Sequence, residues 1–168
     1  LKWEDTQRLP WGVLLLLGSG MSFAKAVDSS GLSVWVGTQI SAFGTMNLFI
    51  LLVLLITVVN FLTEIASNMA TIAMMLPILA PIALEFDLHP FVLMVAAAAA
   101  ASCAFMLPVA TPPNAVVFGS GYLKINDMVK NGFLLNLTSI VIIALMVYFA
   151  LPILWDLVPD EFPKSLNI

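Results

Sequence analysis

The chain has 168 residues, 61% of them hydrophobic and only 10% charged, with a formal net charge of -4. A water-soluble domain carries roughly 25% charged residues, so this composition excludes a chain bathed on all sides by water and makes lipid the main solvent. The single cysteine, Cys103, excludes an internal disulfide and a cysteine-based metal site.

The opening LKWEDTQRLP is charged and polar and is not a signal peptide. With Leu1 in place of an initiator Met, the sequence is expected to be a piece of a longer protein. Residues 1–168 read as one transmembrane domain, since no linker or charge run divides them. Trp11–Val27 reads as a spanning helix, though a slightly short one. From Asp28 to Gly44, Leu32, Trp35, Val36 and Ile40 recur near helical spacing among Ser, Gly and Thr. That pattern predicts a short amphipathic helix at the interface.

Thr45–Leu62 and Met69–Leu84 are strongly apolar, and the polar cluster TEIASN stands between them. Pro90–Val109 is predicted to be an alanine-rich helix, followed by Ala110-Thr-Pro-Pro-Asn114 and the apolar AVVFG. Phe133–Trp155 supplies the roughly 20 apolar residues of a full span, the last helix being bounded at 131–155. Lys2 and Arg8 precede the first helix, and Lys124 and Lys130 precede the last. Placing both pairs on the cytoplasmic side puts the C-terminus outside. Trp3, Trp11, Trp35 and Trp155 read as interfacial anchors.

Two segments are interrupted at membrane depth. In 45–85, two apolar arms flank TEIASN; two full spans joined by a polar turn and a re-entrant hairpin both satisfy the charge distribution. In 90–123, Pro112-Pro113 removes two N–H donors, so the helix is expected to stop there. Two spans in that segment would leave Asn114–Leu123 too short and put Lys124 and Lys130 outside. One broken crossing fits both facts. Backbone groups freed by such breaks are tolerated only when buried in protein or lining a cavity.

Interrupted helices hold ions. A sodium ion takes about five or six hard oxygens from helix C-ends, Asn and Ser/Thr. Thr63, Ala66 and Asn68 offer these at the first break and Ala110 at the second. A carboxylate takes N–H groups at a helix N-terminus with hydroxyl or amide donors beside them. Ser67 and Asn68 lead one helix and Thr111 leads the other. Arg8, the only arginine, stands near the start, so helix dipoles and bound cations must balance an anion at depth. Glu64 reads as a structural acid held by backbone N–H groups or another part of the protein, rather than a proton relay. His89 reads as interfacial, Cys103 as small packing filler, and the alanine run as close helix contact. Gly18, Gly20, Gly119 and Gly121 read as packing or hinge positions. No HExxH and no Ser/His/Asp set is present, so an enzyme is not expected, nor is a nucleic-acid partner.

The stretches LPWGVLLLLGSG, TEIASNMAT and FMLPVATPPNAVVFGSGYLKINDMVKNGFLLNL resemble, in the same order, the C-terminal half of the divalent anion/sodium symporter family. These are carriers of dicarboxylates and citrate. The resemblance covers nearly the whole chain. It implies an all-α membrane fold, with this chain as one inverted-repeat half containing a re-entrant helical hairpin (45–85) and a broken transmembrane helix (90–123). It implies a homodimer working by an elevator motion in a bacterial inner membrane, with the N-terminal half supplying the rest of the site. By position, Ser67, Asn68, Thr111 and Pro112 match the substrate-binding segments, and Thr63, Ala66, Asn68 and Ala110 match a sodium site. Met69 departs from the family motif, which has Thr there. The expected activity is sodium-coupled uptake of a dicarboxylate or related anion. The neighbouring alternative is a sodium-independent exchanger of the same fold.

Overall fold

The computed structural model describes residues 11–32, 35, 38–39 and 47–163. Its elements are α1 (Trp11–Ser29), α2 (Leu48–Thr63), α3 (Asn68–Glu85), α4 (Pro90–Ala101), α5 (Pro112–Gly119), α6 (Ile125–Leu145), a π-helical turn (Met146–Ala150) and α7 (Leu151–Trp155). No strand occurs among the described residues.

The core forms where α4 sits between its neighbours. Ala96, Ala97, Ala100 and Ala101 are buried, together with Leu52, Ile56 and Val59 of α2 and Leu79 and Ala83 of α3. Small side chains let the backbones approach closely, which is how helices associate when lipid removes the usual hydrophobic drive. The alanine run is therefore packing, inside the chain's own core. α6 closes the other side of α2 through Ile140, Ile143 and Ala144.

Prolines explain two irregularities. Pro77 in α3 has no N–H to give Ala73 O, the carbonyl four residues back. Gly20 of α1 lies directly on that oxygen, where a Cβ would come within 2.8 Å of it. Pro152 likewise cannot bond to Tyr148, and the ladder widens there: Leu151 N–H reaches Met146 O in the π-helical turn.

The helices are of unequal reach. α2 and α3 have 16 and 18 residues, about 24 and 27 Å at 1.5 Å per residue. The run from α6 through α7 has 31 residues and, with α3, is long and apolar enough to cross a membrane. The α2–α3 turn stops short of the far end of α6. Glu64 hydrogen-bonds to Asn136 there, roughly 16 Å from the Ile125 end of that helix.

Several boundaries differ from those read in the sequence. α1 continues to Ser29. The last helix begins at Ile125, ahead of 131, because its polar first turns are exposed and need no apolar pattern. The alanine-rich helix ends at Ala101 instead of running to Val109. In the interfacial segment Leu32 and Trp35 are helical and exposed, while Val36 and Ile40 lie outside the described residues, as do Trp3, Lys2 and Arg8.

The tail folds back on the opposite end of the bundle. His89 N–H donates to Pro159 O (2.9 Å), and Phe162 N–H donates to Asp87 Oδ1 (3.3 Å). His89 caps α4, its Nδ1 accepting from Phe91 N–H at 3.3 Å.

Candidate functional site

The two interruptions meet. Residues 102–111, between α4 and α5, are non-helical and lie against the turn that joins α2 to α3. Breaking a helix at depth strands main-chain donors and acceptors, each of which needs a partner. Side chains supply them one by one.

Glu64 is 3% exposed and accounts for the donors. Its Oε1 accepts from Phe105 N–H (2.7 Å) and Met106 N–H (2.9 Å), and its Oε2 from Leu107 N–H (3.0 Å). Asn136 Nδ2 adds a fourth bond to Oε1 at 2.8 Å. Every partner of this carboxyl among the described residues is a donor. Loss of the carboxylate would strand three N–H groups, at about 1–3 kcal/mol each. The structural reading of Glu64 is the one the geometry bears out.

The acceptors are met by three side chains from two elements, α2 and α5. Ala101 O accepts from Thr63 Oγ1 (3.0 Å), and Cys103 O from Asn60 Nδ2 (2.6 Å). Asn114 Nδ2 donates to both Ala104 O (2.9 Å) and Leu107 O (3.1 Å). These bonds explain the early end of α4: the amides of 105–107 turn to Glu64 and so never complete a helical ladder. The tandem prolines do not end that helix. They begin α5, occupying its first two positions where missing N–H groups cost nothing.

Thr63 and Asn68 close the turn on itself, with Thr63 Oγ1 2.7 Å from Asn68 Oδ1. Thr63 is fully buried. Ser67 is the N-cap of α3, its Oγ accepting from Ala70 N–H (3.2 Å). Thr111 is the N-cap of α5, its Oγ1 accepting from Asn114 N–H (3.3 Å). A cavity of about 650 Å³ opens between these two helix starts. Ser67, Asn68, Met69, Ala110, Thr111, Pro112 and Asn114 line it. Among the described residues, none of its lining is Lys, Arg, Asp or Glu.

Of the residues singled out in the sequence, Ser67, Asn68, Ala110, Thr111 and Pro112 thus share one cavity, and Thr63 joins them through Asn68. Ala66 stands in the turn but is not in the cavity lining. The helix starts are unequal as anion sites. At α3 the N–H groups of Asn68 and Met69 remain outside the cap, whereas Pro112 and Pro113 have none and Asn114 N–H is already taken by Thr111. α5 therefore contributes its dipole and the Thr111 hydroxyl, and little main-chain donation.

Sequence reasoning passed over Asn60, Asn136, Gly132 and the carbonyl of Ala101. A signal existed for the two asparagines: both interrupt apolar helices, and polar groups inside a membrane span are expensive unless partnered. Asn60 and Glu64 also stand four apart, on one helical face. Gly132 carries no such mark. Its importance is spatial, since a Cβ there would overlap Phe105 O and come within 2.6 Å of Met106 Cα.

Known proteins match this chain closely. The sodium-dependent dicarboxylate transporter SdcS of Staphylococcus saprophyticus is 52% identical over 152 residues, which is 90% of this chain and 29% of that protein. The transporter of the same name from Staphylococcus aureus strain USA300 is 46% identical over 153 residues, 91% of this chain and 29% of that protein. The chain thus spans 29% of the length of these curated relatives. The family described as the sodium:sulfate symporter transmembrane region matches residues 1–155. A chain of apolar helices matched over that length is an integral membrane protein, and it belongs to the sodium:sulfate symporter family.

Proposed function

We propose that this chain forms part of a secondary transporter that carries a C4-dicarboxylate or related carboxylate anion together with sodium, and that it is no enzyme. The observation that carries the reading is the single cavity onto which the Ser67 and Thr111 helix starts both open. Hydroxyls, the Asn68 amide and two positive dipole ends suit a carboxylate, and among the described residues no fixed cation is in the lining to hold it permanently. The close relatives, both named as sodium-dependent dicarboxylate transporters, support the same class.

Charge balance gives sodium its role. A dicarboxylate entering beside the buried Glu64 carboxylate would gather like charges in a low-dielectric region, where repulsion is strong. Cations held by Thr63 Oγ1, Asn68 Oδ1 and the carbonyls of Ala66 and Ala110 would offset them. Anion and sodium then bind in a linked fashion. The sodium-independent exchanger remains the rival within the same fold.

The segment 45–85 is read as a re-entrant hairpin and 90–123 as one broken crossing. Two facts support this: α2, at about 24 Å, is shorter than a hydrocarbon core of about 30 Å, and the α2–α3 turn stops beside Asn136. Elevator motion, a homodimer, an N-terminal half completing the site, citrate as an alternative anion, a bacterial plasma membrane and an external C-terminus belong to the same proposal. The test is thermal unfolding of the intact transporter titrated with succinate, citrate and sulfate, in sodium or in choline. Mutual stabilisation by sodium and a dicarboxylate is expected. Anion stabilisation of equal size in choline favours the exchanger, and no stabilisation by any anion removes the proposal.

A further inference from the structure

Glu64 has a role that site chemistry alone does not assign. Its carboxylate does not line the cavity. It sits behind it, gripping the amides of Phe105, Met106 and Leu107. Those residues lead directly into Ala110 and Thr111. Asn114, one turn into α5, is tied back to the same loop at Ala104 O and Leu107 O. Glu64 itself follows Thr63 at the end of α2 and precedes Ser67 at the start of α3. One side chain therefore links both halves of the cavity wall.

We propose that Glu64 is the positioning residue of the anion site. It sets the distance and angle between the Ser67 and Thr111 helix starts through the main chain of 105–107. Asn136 is its steering partner: the bond from Nδ2 holds Oε1 at the point where the Phe105 and Met106 amides converge. The inference rests on the function proposed above, but it makes its own geometric claim. Three of the four donors to Glu64 are main-chain amides of one loop and the fourth is Asn136, which is the arrangement of an anchor for that loop.

The variants follow from the contacts. In Glu64→Gln the amide nitrogen must face at least one N–H donor. Glu64→Asp keeps the charge but falls one methylene short. A positioning role predicts that both fail similarly. A proton relay predicts that Asp retains activity and that Gln flattens the pH profile of uptake.

The test uses the full-length transporter in liposomes, with labelled succinate, and hydrogen exchange at the 105–107 amides. Glu64→Gln should raise KM for the anion about 10-fold or more, with Vmax changed by less than about 3-fold and the pH profile unaltered in shape. Its 105–107 amides should exchange at least about 10-fold faster than in the wild type. Asn136→Ala keeps the three main-chain bonds and should raise KM about 3-fold; it also serves if Glu64→Gln fails to insert. A wild-type KM in Glu64→Gln, a flattened pH profile, or unchanged exchange at 105–107 overturns the proposal. If the wild type carries no carboxylate, the functional reading falls, and the exchange measurement still decides the geometric claim.

Discussion

Thr63 Oγ1 stands 2.7 Å from Asn68 Oδ1 and 3.0 Å from Ala101 O, so one hydroxyl joins the end of α2, the start of α3 and the last carbonyl of α4. The hydroxyl has a single proton for two acceptors. The residues offering these three oxygens come from helices that end or begin at this level, where a helix has main-chain groups to spare. The proposed sodium site draws on two of these oxygens, which makes Thr63 and Asn68 the first residues to test.

Thr63→Val preserves shape and removes the oxygen. It should raise the sodium concentration for half-maximal uptake about 10-fold, as expected for one lost ligand. Asn68→Ala removes both a proposed ion ligand and a cavity amide, and should abolish uptake in the full-length protein while membrane insertion stays normal. Both effects are read from succinate uptake against surface expression. Normal uptake by Asn68→Ala would falsify the site assignment.

Gly132 faces the main chain of Phe105 and Met106 with no room for a methyl group. Gly132→Ala must push α6 away from the loop, an overpacking that costs about 1–3 kcal/mol. The intact protein should unfold at lower temperature, and anion affinity should fall with it. By contrast, Gly18 and Gly119 have open space around the position of a Cβ. Alanine at either should leave the unfolding temperature near the wild-type value, which makes them matched controls.

Asn114 binds two carbonyls with one amide nitrogen. Asn114→Leu fills similar space and satisfies neither, so Ala104 O and Leu107 O lose their donor. The cost is about 1–3 kcal/mol in stability. Hydrogen exchange along 104–107 should speed up in parallel, and Asn114→Asp should not rescue it, since a carboxylate cannot donate.

Burial at the end of α4 holds the His89 imidazole below its ordinary value of 6.5. The neutral ring is the form whose Nδ1 can accept from Phe91 N–H. A histidine with a depressed folded value contributes stability that is present above the unfolded value and is lost as pH falls through the folded one. The α4 N-terminus and the tail packed on it should therefore loosen as pH falls below about 6.5. Amide exchange at Phe91, compared at pH 7.5 and pH 5 after correction for intrinsic rates, reads this. His89→Asn retains an N-cap acceptor and should remove the pH dependence.

The family was legible because its motifs are local. SN and TPPN, at their spacing within an apolar chain, were enough to place Ser67 and Thr111 at helix starts. Composition alone pointed to lipid, and the polar run TEIASN marked where α2 ends and α3 begins. Helix ends without a motif were less legible. α4 was expected to run to Val109, since nothing between Ser102 and Leu107 in the sequence forbids a helix. It stops at Ala101 because Glu64, far away in the chain, offers the 105–107 amides a carboxylate that competes with their own helical carbonyls.

By itself, then, the sequence determined the solvent, the family and the two points where the backbone had to give way, because oil-like composition and cap residues act on their immediate neighbours. Only the tertiary structure decided what each freed backbone group would bond to. Those partners, Asn60, Thr63, Glu64 and Asn114, converge on one loop from two different parts of the chain, and Asn136 steadies Glu64 from a third. A hydrogen bond depends on where atoms meet in space, and spacing along the chain does not carry that information.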